Sequence, residues 1–115
     1  MNTKKFGPPL WETLHIISAN YPEKPKKEDK IKYKEYFRTL TNVLPCKYCR
    51  VSYCQFWEVL PIDNYLDSRI HMMYWLYLVH NMVNKKLRIQ GNKVSPDPTF
   101  SQVVKKYEKI RAKSH

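Results

Sequence analysis

The sequence predicts an all-α fold, a four-helix bundle with a short fifth helix, built as one domain over residues 1–115. Three observations predict it. Only two glycines occur, Gly7 and Gly91, and no Asn-Gly or Gly-Gly pair is present, so tight hairpins have little support. Apolar residues recur at three- and four-residue spacing in successive stretches, separated by proline-bearing or polar breaks. The length supplies bulk for one hydrophobic core and not for two, and no internal repeat divides it.

Pro8-Pro9 can open the first helix, because proline is tolerated where first-turn N–H groups lack partners. Leu10, Trp11, Leu14, His15, Ile17 and Ser18 follow at helical spacing until Tyr21-Pro22 ends the element. Ile31, Tyr33, Tyr36, Phe37, Leu40 and Val43 outline a second helix from Lys27 to Val43. Leu44-Pro45 breaks the chain, and a third helix is expected from Cys46 to Leu60, closed by Pro61-Ile62-Asp63-Asn64. The fourth, from Tyr65 to Arg88, is apolar around most of its circumference and so should be the most buried. Lys85, Lys86 and Arg88 suit its C-terminal end, with Gly91-Asn92 as the turn beyond. After a loop from Asn92 to Pro98, Thr99 to Lys113 reads as a polar fifth helix carrying Phe100, Val103, Val104, Tyr107 and Ile110.

Charge is lopsided, with 21 Lys+Arg against 10 Asp+Glu, a net +11. Such a surplus generically indicates nucleic acid or an anionic surface. Here the lysines of residues 24–34 and 105–113 are interleaved with Glu28, Asp29 and Glu108, the pattern of solvated helix faces more than of a nucleic-acid stripe. No run of about eighteen apolar residues exists, so no membrane span is expected. The first residues carry no apolar signal segment, and conventional secretion is not expected. Three cysteines, an odd number, do not make a disulfide scaffold.

Cys46-Lys47-Tyr48-Cys49 is a CxxC placed where a helix should begin. Unpaired N–H groups and the positive end of the dipole stabilise a thiolate there, and Lys47 and Arg50 add positive charge. That favours a redox-active pair with Cys46 exposed and Cys49 one turn further in. Zinc is the competing reading. It needs four ligands, and the remaining candidates, Cys54, His15, His71, His80 and His115, form no second pair at metal spacing. A thioredoxin-like enzyme would need alternating strands and helices, which the pattern lacks.

The fourth helix holds a second cluster. His80 and Asn84 are four apart and share a face, with Asn81 beside them. Polar groups in so apolar a helix need partners, since burying each unpaired costs about 1–3 kcal/mol. Trp11 and His15 repeat the spacing on the first helix. An indole beside an imidazole is either ordinary packing or a flat wall for a planar heterocycle, and spacing does not choose.

Gly7-x-x-x-Trp11-x-x-Leu14-His15, Tyr21-Pro22, Pro45-Cys46-x-x-Cys49 and Trp75-x-x-x-x-His80-Asn81-x-Val83-Asn84-Lys85-x-Leu87 together resemble the Erv/ALR sulfhydryl oxidases. The resemblance covers residues 6–88. It implies a helical bundle holding FAD at its mouth, usually a homodimer, that oxidises protein dithiols and passes the electrons to oxygen as hydrogen peroxide. By position it makes Cys46 the cysteine attacked by substrate and Cys49 the one that lies against the isoalloxazine. It makes Gly7, Trp11, Leu14, His15, His80, Asn81, Val83, Asn84 and Leu87 FAD-lining, with Lys85 the basic group near pyrophosphate or ribose, and part of the +11 a balance for the dinucleotide. No metal is implied.

The sequence also departs from that family. A cysteine usual at the position of Tyr77, bridged to the C-terminal segment, is missing, and no cysteine follows Cys54. Neither end has room for a shuttle CxxC, so the electron donor is expected to be a separate dithiol protein. The short form resembles oxidases of large cytoplasmic DNA viruses. That implies the cytoplasm of an infected cell or the virion, with the mitochondrial intermembrane space as the alternative. Cys54 lies about 500° of helical rotation from Cys49, which disfavours a bond between them, and is expected to be a buried free thiol, with an intersubunit or substrate-facing disulfide as the alternative. The reading from another class is a basic helical module binding nucleic acid or protein, with zinc-binding or structural cysteines.

Overall fold

A computed structural model describes residues 3–111. Five α-helices follow in order: α1 (Thr3–Ala19), α2 (Lys27–Val43), α3 (Lys47–Val59), α4 (Arg69–Ile89) and α5 (Phe100–Glu108). A short 3-10 helix, Ile62–Tyr65, joins α3 to α4, and no strand occurs among the described residues. The all-α expectation holds, with four main helices and a shorter fifth. α1 packs along α4, α2 pairs with α3, and α5 lies against both α1 and α4.

Local chemistry explains most boundaries. The Asp29 carboxylate accepts from the Lys26 N–H at 2.8 Å at the start of α2. Pro45 stops that helix one residue after its C-cap, Leu44. Ser68 caps α4, its hydroxyl accepting from the His71 N–H at 3.3 Å, so α4 starts at Arg69 and not at Tyr65. The expected stop at Pro61–Asn64 is a proline followed by the 3-10 turn.

Two ends differ from expectation. α1 begins at Thr3, and Pro8 and Pro9 lie inside it. Their fixed φ suits a helix, and residues 4–5 are exposed, where carbonyls that lose an N–H partner can meet water. α5 ends at Glu108, short of Lys113, because beyond Tyr107 only exposed Ile110 offers apolar surface among the described residues. Residues 112 and 113 of that expected helix lie outside the described residues, as does His115.

The core forms around α4, as its apolar circumference requires. Met72, Trp75, Leu76 and Val79 pack with Leu14, Tyr21, Phe37, Leu40, Tyr53, Ile62 and Leu66. Trp75 is fully buried, edge-on to Phe37 and Trp57, and its indole N–H donates to the Leu60 carbonyl at 2.9 Å. Buried tyrosines staple elements together: Tyr21 donates to the Leu66 carbonyl at 2.6 Å, and Tyr53 to the Phe37 carbonyl at 2.6 Å. Each such bond contributes about 1 kcal/mol net, and losing one partner costs more. A second cluster, Ala19, Met73, Val103 and Tyr107 with Tyr77 and Phe100 at its edge, seats α5.

Candidate active site

Because Leu44-Pro45 ends α2, Cys46 is left extended (φ −114°, ψ 129°) as the N-cap of α3. Its sulfur accepts from the Cys49 backbone N–H at 3.3 Å, filling a role usually taken by a serine or aspartate oxygen. A hydrogen bond from the Cys49 thiol, then that backbone N–H, holds the Cys46 thiol below its ordinary range. Burial, reinforced by the hydrogen bond to Cys46 and by its charge, pushes Cys49 up to about 11. Reduced, the pair is asymmetric: Cys46 is the more readily ionised of the two, and Cys49 keeps its proton. Arg50 donates to the Leu44 carbonyl at 2.6 Å, which braces the turn before the cysteines.

Both sulfur-bearing residues line a cavity of about 650 Å³. α1 contributes Gly7, Trp11 and Leu14, α4 contributes His80, Val83, Asn84 and Leu87, and α5 contributes Tyr107. Where α1, α4 and α5 line the cavity, the rings form a wall. Trp11 stacks on His80 with centroids 3.8 Å apart and planes 7° apart. Behind it, His15 Nε2 meets His80 Nδ1 at 2.9 Å, one nitrogen donating and the other accepting. Tyr107 stacks on the other face of this group, 5.0 Å from His15, and its hydroxyl donates to Glu12 at 2.9 Å. Burial first, then the neighbouring His80, lowers His15 to about 3, and burial lowers His80 to about 4. Both imidazoles are therefore neutral near pH 7, the state that a shared hydrogen bond requires.

The sequence motif and the helix rotation disagree at two positions. At about 100° per residue, His80, Val83, Asn84 and Leu87 face the cavity, while Asn81 and Lys85 fall on the opposite side of α4. They line a separate pocket of about 370 Å³ with Leu78, Met82, Arg88 and Asp97. Lys86, not the expected Lys85, is the basic residue that α4 turns into the main cavity. Its Nζ donates to Ser52 Oγ at 2.8 Å and lies 4.9 Å from the Tyr48 ring centroid. The signal was available, since Lys86 follows Val83 by three and precedes Gln90 by four. Asn84 lines the cavity but donates to Asp97 Oδ1 at 3.1 Å. His15 supports the wall from behind and is itself 4% exposed.

Tyr48, Ser52, Phe56, Lys93 and Tyr107 also line the cavity, and no motif singled them out as site residues. Cys54 corrects an expectation: it is exposed and free, because α3 turns Ser52 and Tyr53 inward. Tyr77 stands where the resemblance placed a disulfide, and its hydroxyl donates to the Pro98 carbonyl at 2.8 Å instead. Among the described residues no group of three or more His, Cys, Asp or Glu converges as a metal site.

The model of the Erv1 / Alr family matches residues 8–108. The chain belongs to the Erv1 / Alr family. Among its relatives is a probable FAD-linked sulfhydryl oxidase of Acanthamoeba polyphaga mimivirus, 34% identical over 85 residues, which are 73% of this chain and 59% of that one. The mitochondrial FAD-linked sulfhydryl oxidase ERV1 of Saccharomyces cerevisiae is 28% identical over 87 residues, 76% of this chain and 45% of that one. The chain thus spans less than two thirds of either relative. The solved FAD binding domain of Erv1 from Saccharomyces cerevisiae superposes with a TM-score of 0.77 at 25% identity, covering 95% of this chain and 96% of that one. The yeast Erv1 core, at 24% identity and a TM-score of 0.82 over 94% of this chain and 85% of that one, shares the fold. This Erv1 / Alr chain has relatives in a virus and in mitochondria, and none of its described helices is long and apolar enough to cross a membrane.

Proposed function

We propose that this Erv1 / Alr chain is an FAD-dependent thiol oxidase that forms disulfides in protein dithiols, with Cys46 and Cys49 as its redox pair. One observation carries the reading: the cysteine pair and the Trp11–His80 wall line the same cavity. The donor set fits FAD. A volume of about 650 Å³ is in the range of cofactor sites. Flat aromatic faces suit its rings, and Lys4, Lys86, Lys93 and Lys106 bring positive charge suited to its pyrophosphate. In this reading Lys86 takes the role expected of Lys85. Gly7, Trp11, Leu14, His80, Val83, Asn84 and Leu87 line the cofactor, and His15 holds the wall.

In the oxidised pair, a substrate thiolate attacks Cys46 Sγ. The Cys46–Cys49 bond breaks, a mixed disulfide forms, and Cys49 leaves as a thiolate. The second substrate thiolate attacks its own mixed-disulfide sulfur, which releases the substrate disulfide and the Cys46 thiolate. Two electrons have then entered the pair, and the substrate thiols have given up two protons. FAD held in this cavity would supply the two-electron acceptor for the pair, with O2 and two protons as the final oxidant and H2O2 as the product. While Cys46 is tied to substrate, two of the causes that raise the Cys49 thiol are removed, its hydrogen bond to Cys46 and the Cys46 charge, leaving burial alone. Cys49 is then best able to act as a thiolate.

The partner in this proposal is a dithiol protein, and the chain acts as a homodimer. Its place is the infected-cell cytoplasm or the virion, with the intermembrane space as the alternative. Purified protein should show a flavin band near about 450 nm, release FAD on denaturation and consume O2 with dithiothreitol. A colourless protein that binds zinc at the cysteines and consumes no O2 after reconstitution with FAD would instead support the basic binding module.

A further inference from the structure

Carboxylates are unevenly distributed, and the uneven part surrounds the cysteines. Residues 36–57 and residues 68–96 contain no Asp or Glu. The fold brings these two segments together at the cavity entrance. The Gln90 side-chain amide donates to the Tyr48 hydroxyl, and Lys86 donates to Ser52, so the end of α4 lies beside the start of α3. Elsewhere some cations have carboxylate partners: Lys30 meets Asp67 at 2.9 Å, Lys34 meets Asp63 at 2.7 Å, and Arg69 meets Glu23 at 3.3 Å. At the entrance, neither Lys47 nor Lys93 forms an ion pair among the described residues. Among the described residues the one carboxylate lining the cavity, Glu12, already accepts from Tyr107 and faces Lys106 at 3.5 Å.

The dinucleotide does not account for all of this charge. Lys4, Lys86, Lys93 and Lys106 line the cavity, whereas Lys47 lies outside the lining, exposed between the two cysteines. Apolar surface lies beside it in the chain: Val43, Tyr48 and Val51 are 60%, 50% and 51% exposed. A cationic, partly apolar rim around a reactive disulfide attracts a partner of opposite charge and repels basic ones.

Building on the oxidase reading above, we infer that the rim of the Cys46–Cys49 pair selects dithiol proteins whose reactive cysteines lie in an acidic segment with apolar flanking residues. The chemistry at sulfur is the exchange already written, with the substrate dithiol oxidised and O2 reduced. The rim governs which dithiol arrives.

The test compares kcat/KM, read by O2 consumption, for two reduced peptides that carry the same dithiol. One has Asp and Glu flanks, the other Lys flanks, and dithiothreitol is the small neutral control. At low salt the acidic peptide should be favoured by about tenfold or more. The ratio should fall towards one at about 1 M salt, where the screening length is about 3 Å. Lys47→Glu should narrow the ratio at low salt. The ratio, not the absolute rate, is the readout, because a charge between the cysteines acts on every thiol alike. A ratio of one at low salt, a ratio that salt leaves unchanged, or one that Lys47→Glu leaves unchanged overturns the inference while dithiothreitol oxidation leaves the oxidase reading standing. Failure to oxidise dithiothreitol as well removes both.

Discussion

The two ends of the cavity are built on opposite plans. At the cysteine end, Cys46 and Cys49 are half-buried at a loop–helix junction, braced by backbone bonds and bordered by exposed Tyr48 and Val51. At the histidine end, Trp11, His15, His80 and Tyr107 come from three helices, stack on one another and share hydrogen bonds. The first end has to admit another protein and change its covalent bonds. The second has to keep a flat face in place through every turnover, which rigid helices do better than a loop. One end is made for exchange and the other for positioning, and substitutions should separate them.

The largest separation comes from the cysteines. Cys46→Ala and Cys49→Ala should each lower kcat with any dithiol by about a thousandfold or more, since each removes an atom that forms and breaks bonds. Flavin content and melting temperature should stay near those of the parent. Residual turnover within tenfold of the parent in either variant would show that the assigned roles are wrong.

The histidine end should reveal itself through pH. His80 is lowered to about 4 by burial, from about 6.5 in an unfolded chain. Between those values the folded protein binds fewer protons than the unfolded one, so stability is full above about pH 6.5 and falls as pH drops. His80 alone makes the protein about 2 kcal/mol less stable at pH 5 than at pH 7. His15, lowered to about 3, acts in the same direction. The carboxyls of Glu35, Asp67 and Asp97 are held low by cation partners, so protonating them also costs stability and does not reverse the trend. Urea unfolding at the two pH values measures the difference, and a flat profile would mean that the two imidazoles are not buried neutral.

His80→Ala tests the same wall without acid. It removes the ring stacked on Trp11 and leaves His15 without its partner. FAD retention should weaken by about tenfold to a hundredfold, measured by flavin release on dilution. Once resupplied with excess FAD, the variant should recover most of its dithiol turnover, which no cysteine variant can do. Unchanged retention would remove the wall from the cofactor site.

How much of this was legible beforehand depended on whether the cause was local. α2 runs from Lys27 to Val43 as expected because its start, with Asp29 three residues past Lys26, and its stop, Pro45, are both written in neighbouring residues. The start of α1 was misread because Pro8 looks like a first-turn proline, yet proline also fits inside a helix whose preceding turn is exposed. At the site, the CxxC and the His80–Asn84 spacing were readable from the chain. Asn81 and Lys85 were grouped with them by adjacency in the motif, although helix rotation turns both away. The His15–His80 bond and the Tyr107 stack depend on how α1, α4 and α5 cross, and no spacing along the chain encodes a crossing.

Tyr77 offers the smallest and most specific test, because it reaches the histidine end without touching it. Its hydroxyl donates to the Pro98 carbonyl at 2.8 Å, just before α5, and its ring packs against Phe100 at 5.4 Å. α5 in turn presents Tyr107 to His15. Tyr77→Phe keeps the ring and removes one exposed hydrogen bond, worth about 1 kcal/mol or less. Global stability should therefore change little, while α5 opens more often. Amide exchange should quicken in residues 100–108 and stay constant in α2 and α3, with FAD retention falling by about two- to fivefold. Unchanged exchange in α5 would mean that Val103 and Tyr107 alone hold the helix. The non-covalent tether at the position of the missing disulfide would then contribute nothing to the wall.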